Sequence, residues 1–504
     1  MNTLATVPHP KRAWFRRTIW PGALALLLAL LLGLPTLAAP AQPQAGNYNV
    51  YLPLITKQQT STAPSPTPTP EPGQNNQGGV FVTRDVQTNS ASAAVDAQGG
   101  MHTAYAGYSS ANRSAFYAFC AGTCTDPAQW KSVALANNVD AVQLALTPQG
   151  QPRMLLTIDR ALEESQFGAL FKYAACDTNC ASAASWSIVT VAQTDDTDPY
   201  RFEQPRHYFA LDPQGRPRFV YRSQYVFRNL GTFYVACDSN CTDPSAVEQN
   251  WVQTNISQSN EYEVDLFSMP ALAFTKAGQP RILADVIAVA GENGIYYLAC
   301  DANCAESASW QHVKLFERGQ GPDAAWDLAL DSSDHPRIAM YQEALPDGGD
   351  WLLYAWCNTD CLGNGWAGTT IGLEQGDGLT PDLALDAQGH PRIAYHPLGV
   401  AGLSYLWCNS ACESNNGQWI TKVIDPNETV DAAFPLPVPP ACDQAGWSTG
   451  FRPSLVLDAQ GSPRIAADAL REMRCAYTDP SDPAHPKTRI ETYHYSRFVF
   501  LPQP

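Results

Sequence analysis

The chain has 504 residues and a formal charge of −17, from 31 Lys and Arg against 48 Asp and Glu. That sign excludes non-specific binding to nucleic acid, whose phosphates need a basic partner. The length allows one sizeable core or several small ones.

At the N-terminus Lys11, Arg12, Arg16 and Arg17 precede the apolar run GALALLLALLLGL and then AAPAQ, with small residues at Ala39 and Ala41. A basic stretch, a hydrophobic stretch and an A-x-A site predict a secretory signal peptide over 1–41, cut after Ala41. The alternative is an uncleaved anchor, because Thr18 to Ala39 approaches the length that spans a bilayer. No later segment has that length or apolarity, so no membrane span is expected after cleavage. Residues 42–78 hold most of the tract TSTAPSPTPTPEPGQNNQGG, which has almost nothing to bury. They predict a disordered, extended Thr/Pro-rich spacer that holds residues 79–504 away from a surface.

That remainder repeats one phrase seven times: AAVDAQGGMHTAY, LALTPQGQPRMLL, FALDPQGRPRFVY, LAFTKAGQPRILA, LALDSSDHPRIAM, LALDAQGHPRIAY and LVLDAQGSPRIAA. Each copy is followed by an aromatic strand, such as IYYLAC or LSYLWC, that runs into a cysteine. In six copies a Trp-led strand comes next, beginning near Trp130, Trp186, Trp251, Trp310, Trp366 or Trp419. The first strand, typified by LALD, is apolar on both faces and should be buried. The second opens on Pro, which need not donate there. Four short strands in a unit averaging about 60 residues, with no helical periodicity, predict an all-β fold, a seven-bladed β-propeller of four-stranded antiparallel blades. A propeller must close to protect its edges. Either VFVTRDV or KTRIETYHYSRFVFL could complete the last blade.

Twelve of the 14 cysteines share one spacing: Cys120/Cys124, Cys176/Cys180, Cys237/Cys241, Cys300/Cys304, Cys357/Cys361 and Cys408/Cys412. The residues between them are turn formers, and a pair of thiolates falls short of a closed zinc site. Behind an export signal they read as disulfides, with Cys442 and Cys475 pairing by elimination.

The hairpin phrase resembles the repeats of secreted sialidase-like (BNR-type) propellers. It keeps the Asp, the Gly and the turn of the Asp-box, without the Ser before the Asp or the aromatic after the Gly. The resemblance implies fold and superfamily. A catalytic sialidase also needs an arginine triad, a Tyr–Glu pair and an acid/base Asp, which no motif here locates.

Residues that recur from copy to copy belong to the scaffold: the Pro-Arg arginines Arg153, Arg218, Arg281, Arg337, Arg392 and Arg464, and the turn aspartates at 96, 212, 331, 386 and 458. Function is expected where the copies differ. Four residues after the arginine the occupants are Ala106, Thr157, Arg222, Asp285, Tyr341, His396 and Asp468. That mixture suits a polar pocket on the face where the variable loops emerge. The long linker AQTDDTDPYRFEQPRHY adds Asp195, Asp196, Asp198, Glu203, Arg206 and His207; other linkers add Glu261, Glu263, Asp265, Asp323, Asp327, Asp377 and Asp382. No cofactor is required, although converging carboxylates are the ligands Ca²⁺ would take.

The leading expectation is a secreted or cell-surface, monomeric, non-enzymatic propeller that binds an extracellular glycan or surface protein through this loop face, using Arg222, Asp285, Tyr341, His396, Asp468, Arg206 and His207. The alternative is a glycoside hydrolase or lyase of sialidase-like type. In it Asp285 and Asp468 act as acid and base, Tyr341 or His396 as nucleophile or base, and Arg222 faces an anionic sugar. A third reading is an architectural module of a larger envelope assembly.

Overall fold

The computed structural model describes residues 78–502 apart from 110–112, 195–206, 224–230, 261–262, 288–292, 318–323, 343–350, 372–376, 398–401, 415 and 480–481. The expected signal peptide and nearly all of the spacer lie outside the described residues, as does Arg206.

Turn chemistry builds each blade. In LDAQGHPR the Asp386 carboxylate accepts the backbone N–H groups of Gln388 and His390 at 2.9 and 2.8 Å. This closes an Asx turn, in which Gly389 takes φ +82°. The second strand then opens on its Pro, as in Pro391–Pro397. Arg392 donates to the Cys408 carbonyl at 2.9 Å, to Asp386 at 2.7 Å and to Asn409 at 2.8 Å. The repeated arginine therefore ties the first hairpin to the disulfide turn at the same end of its own blade.

The six short-range disulfides are Cys120–Cys124, Cys176–Cys180, Cys237–Cys241, Cys300–Cys304, Cys357–Cys361 and Cys408–Cys412, each across a separation of 4 residues. The seventh joins Cys442 to Cys475. All are the expected pairs. The first cysteine of each short pair ends the third strand or directly follows it, whereas Cys124, Cys180, Cys241, Cys304, Cys361 and Cys412 lie in the turn beyond. Asn179, Asn240, Asn303 and Asp360 hold left-handed backbone just before the second cysteine, a conformation Asn and Asp tolerate. Two blades depart from that pattern: Ala411 takes the conformation before Cys412, and in the first blade Cys124 takes it itself, at φ 57°. Each such small loop stabilises by only about 2 kcal/mol in the chain-entropy model.

The following Trp caps the turn. The indoles of Trp130, Trp186, Trp251, Trp310 and Trp366 donate to the carbonyls of Cys124, Cys180, Cys241, Cys304 and Cys361 at 2.7–3.1 Å. Cys412 is the exception, because the buried Trp419 nitrogen has no hydrogen-bond partner among the described residues. These cysteines are scaffold: their turns sit at the hairpin end of the blades, away from the end where the second strands finish.

The same indoles join the blades. Trp186 packs edge-on against Tyr117 of the preceding blade at 5.1 Å, and Tyr173–Trp251, Tyr234–Trp310, Tyr297–Trp366 and Tyr354–Trp419 repeat the contact at 5.0–5.3 Å. The seven sheets are antiparallel, with strands in chain order in the first six and one extra short strand, Gln258–Asn260, on the fourth. The described chain is thus a seven-bladed all-β propeller.

Closure uses both candidate segments. Gly78–Phe81 pairs with Asp482–Phe500, so the N-terminal strand is outermost in the last blade and the C-terminal segment lies beside it. Phe498 takes the tyrosine's place against Trp130 of the first blade, at 5.1 Å. An ion pair reinforces the junction: Arg497 donates to both oxygens of Asp425, at 2.7 and 2.6 Å, with both side chains buried.

The last blade departs from the expected short strands. Cys442–Leu457, Pro463–Asp479 and Asp482–Phe500 run 16, 17 and 19 residues. They extend beyond the ring as a three-stranded arm, pinned by Cys442–Cys475 across paired positions. Trp447, Tyr495, Phe81 and Val430 form a separate small core under one side of it, with Phe434 packed against them.

Candidate active site

First strands of neighbouring blades lie against one another and line the central channel. The position just before their apolar run is filled by Ser92, Gln143, Tyr208, Ala271, Asp327, Asp382 and Ser454. Several of these side chains accept the next blade's backbone N–H. Ser92 Oγ accepts from Leu144 at 3.1 Å, Asp327 Oδ2 from Leu383 at 2.8 Å, Asp382 Oδ1 from Leu455 at 3.1 Å and Ser454 Oγ from Ala93 at 3.0 Å. A ring of inter-blade hydrogen bonds thus fixes the two carboxylates.

His207 stands just before the first strand of the third blade, where its carbonyl accepts the N–H of Leu272 in the fourth blade at 2.7 Å. Its imidazole reaches the fifth and sixth blades. Nδ1 lies 2.8 Å from Asp327 Oδ1, and Nε2 lies 3.5 Å from Asp382 Oδ2. In a seven-membered ring that contact crosses the channel. The Asp327 and Asp382 side chains are 2% and 4% exposed, whereas that of His207 is 31% exposed. The imidazole is therefore the member of the cluster that solvent, or a substrate, can touch. One ligand atom from each residue lies within 4.8 Å of the others, so a single divalent cation could also bridge them.

The residues four positions after the repeated arginine do not form an open pocket. Ala106, Thr157, Arg222, Asp285, Tyr341, His396 and Asp468 are all buried, at 0–6% exposure. At Asp468 and His396 the cause is a β-bulge in the neighbouring blade. Register shifts interrupt the first strands between Asn89/Ser92, Leu379/Asp382 and Phe451/Ser454, and a bulge leaves backbone groups without ladder partners. The preceding blade supplies them. Asp468 accepts the N–H groups of Ser90 and Ala91 at 3.2 and 3.4 Å and pairs with Arg452 at 2.8 Å. His396 Nδ1 donates to the Thr449 carbonyl at 3.0 Å while its ring stacks on Phe451 at 3.9 Å. Asp285 and Asp468 sit in the fourth and seventh blades, fully buried. The structure does not bring them together as an acid/base pair. Side chains at Glu263, Asp265 and Asp377, and residues 195–206, 261 and 323, fall outside the described residues.

Burial pushes His396 down to about 4, against the opposing pull of the Thr449 carbonyl. Because the unfolded value is 6.5, the unfolded chain binds the extra proton first. The stabilising contribution is complete above pH 6.5 and disappears as pH falls to about 4, a loss of about 3 kcal/mol from this group. Thermal unfolding at about pH 7 and about pH 4 should show it. His396→Gln should flatten the difference, and an unchanged slope would assign the acid lability elsewhere.

Several rim residues escape a search for differences at one repeat position. Arg452 holds φ 49° at the bulge of the seventh blade, where the first and sixth blades place Ser90 and Thr380. Tyr108, 43% exposed, stacks on His494 at 3.8 Å. Burial lowers His494 to about 4; Asp468 pulls it up and Arg452 pushes it down. The aligned position before LALD, read across the copies, carries the signal for Asp327 and Asp382.

No protein-family model and no curated protein matches the chain. Among solved structures it is similar to a GH93 α-L-arabinofuranosidase of Fusarium graminearum, at 10% identity over 84% of this chain and 97% of that one, with TM-score 0.41. An α-L-arabinanase of Penicillium chrysogenum matches at 13% identity over 69% of this chain and 98% of that one, with TM-score 0.43. A PL25 ulvan lyase matches at 9% identity over 81% of this chain and 94% of that one, with TM-score 0.46. Similarity at this level concerns the fold. A sialidase-like propeller fits it coarsely, as one of several β-propeller hydrolases and lyases. The expectation of a non-enzymatic binder is corrected at this point: these neighbours are glycan-cleaving enzymes, and the channel presents an oriented histidine. Among the described residues no helix is long and apolar enough to cross a membrane.

Proposed function

We propose that the protein is a secreted carbohydrate-active enzyme. It cleaves an extracellular polysaccharide at the mouth of the central channel, with His207 as the proton-transfer group. The observation that carries this reading is the imidazole held between Asp327 and Asp382 from two other blades. A carboxylate on Nδ1 fixes ring and tautomer, and the partly exposed imidazole is then the group through which a proton would pass to or from a substrate. The 3.5 Å separation of Nε2 from Asp382 is longer than an ordinary hydrogen bond. Export by the signal segment and seven disulfides suit an oxidising, extracellular setting, and the repeat phrase is similar to that of the sialidase-like propellers.

Within the two cleavage chemistries the site favours elimination. Hydrolysis of a glycoside asks for two carboxyl groups that can flank the scissile bond, and both carboxylates here are buried behind the imidazole. Elimination asks for one base at the proton next to a uronate carboxyl. That base takes the proton, the electron pair it leaves forms a C=C bond as the C–O bond to the leaving sugar breaks, and the leaving oxygen takes a proton from water. The test is a panel of neutral and uronate-containing polysaccharides, read for new reducing ends and for the ultraviolet absorbance of an unsaturated uronate. Reducing ends with that absorbance support elimination; reducing ends without it assign hydrolysis; neither product from any substrate overturns the enzyme reading. Dialysis against EDTA should leave turnover unchanged, and loss restored by Ca²⁺ would give the cluster to a metal ion instead.

A further inference from the structure

We propose that the arm of the seventh blade carries an oxyanion-binding site built on Arg471, which takes a carboxylate or sulfate group. This site does not depend on the reading of the channel. Arg471 lies on the arm's central strand, paired with Trp447 on one side and Tyr493 on the other. It is 3% exposed. Its guanidinium carbon stands 5.9 Å from the centroid of the Trp447 ring, and its Nε and Nη1 are buried with no hydrogen-bond partner.

Four other buried arginines of the chain are answered by aspartates. Arg218, Arg337, Arg392 and Arg497 each have an Asp oxygen within 3.1 Å. Arg471 has no ion pair among the described residues. The carboxylate on the same face of the neighbouring strand, Glu491, is held by Arg489 at 2.5 Å and by the Tyr493 hydroxyl at 3.4 Å. A guanidinium withdrawn from water without a counter-charge is strongly unfavourable. The Trp447 ring offsets part of that through a cation–π contact, while Nε and Nη1 make no hydrogen bond. Those N–H donors suit the oxygens of a carboxylate or sulfate. Such a group could arrive as a free small anion or as the acidic substituent of a glycan.

The experiment is thermal unfolding of the mature protein in sodium sulfate, sodium glucuronate or a uronate oligosaccharide, each against sodium chloride at equal ionic strength. A saturable rise of several degrees is expected with at least one oxyanion. A response to the simple salts marks a free anion; a response to the oligosaccharide alone marks a glycan-borne one. Arg471→Met should abolish the response and, as an apolar replacement of similar length, leave the chloride-form protein at least as stable. Arg471→Lys, which keeps charge without the planar donors, should weaken it. General salting effects move wild type and variants equally. Equal unfolding temperatures in all four solutions would overturn the site, whether or not the Met variant folds. An Arg471→Met protein that is markedly less stable in chloride would also overturn it, because the guanidinium would then be satisfied by ordered water.

Discussion

His207→Ala is expected to lower turnover by about 10²–10⁴-fold, the usual contribution of a positioned acid/base group, while leaving the propeller folded. Stability should be spared because the inter-blade hydrogen bond at this residue uses its backbone carbonyl, to Leu272, and because the imidazole is partly exposed. Asp327→Asn disturbs orientation while keeping the inter-blade hydrogen bond. The Asn carbonyl can still accept the Leu383 N–H that Asp327 accepts at 2.8 Å, but its amide group faces Nδ1 with the wrong polarity. Its loss should therefore appear in kcat with little change in KM and a displaced pH profile. If His207→Ala retained full turnover on a substrate that the wild type cleaves, the channel would not be where bonds break.

Asp425→Ala is expected to destabilise the ring by about 3–5 kcal/mol, the range for removing one partner of a buried ion pair. Arg497 would keep its charge, 3% exposed, with a cation–π contact to Phe81 at 4.5 Å from guanidinium to ring centroid but no carboxylate. The pair joins the sixth blade to the strand that the N-terminal segment Gly78–Phe81 completes. Failure should therefore begin at the closure, and protection of the backbone amides of residues 78–81 against hydrogen exchange should fall first. The double change Asp425→Leu with Arg497→Met should be far milder, since it leaves no orphaned charge. Chemical denaturation measures both. A single variant that unfolds at the wild-type midpoint would remove this pair from the forces that hold the ring shut.

The channel also sets one linker histidine apart from the many linker charges. Acidic loops are ordinarily just solvated, and the side chains of the other linker carboxylates lie outside the described residues. Asp327 and Asp382 differ because the inter-blade N–H groups of Leu383 and Leu455 fix them at the channel wall. A fixed pair of buried carboxylates then gives the His207 ring one orientation.

What the sequence determined by itself is the blade. LDAQGHPR makes its Asx turn, Cys-x3-Cys closes its loop and the Trp caps that loop, because each interaction joins residues only a few positions apart and recurs in copy after copy. Seven copies of such a unit, each with a strand apolar on both faces, leave a closed ring as the way to bury them. Tertiary structure alone decided which varied residues meet. It buried His396, Asp285 and Asp468, and it set His396 and Asp468 against bulges in the first strand of the neighbouring blade. It set His207 across the channel from Asp327 and Asp382, more than a hundred residues away in the chain, and it left Arg471 enclosed without a counter-ion. Those outcomes depend on how far each blade is rotated from the last and on how long the final strands run. No local pattern of residues encodes either quantity.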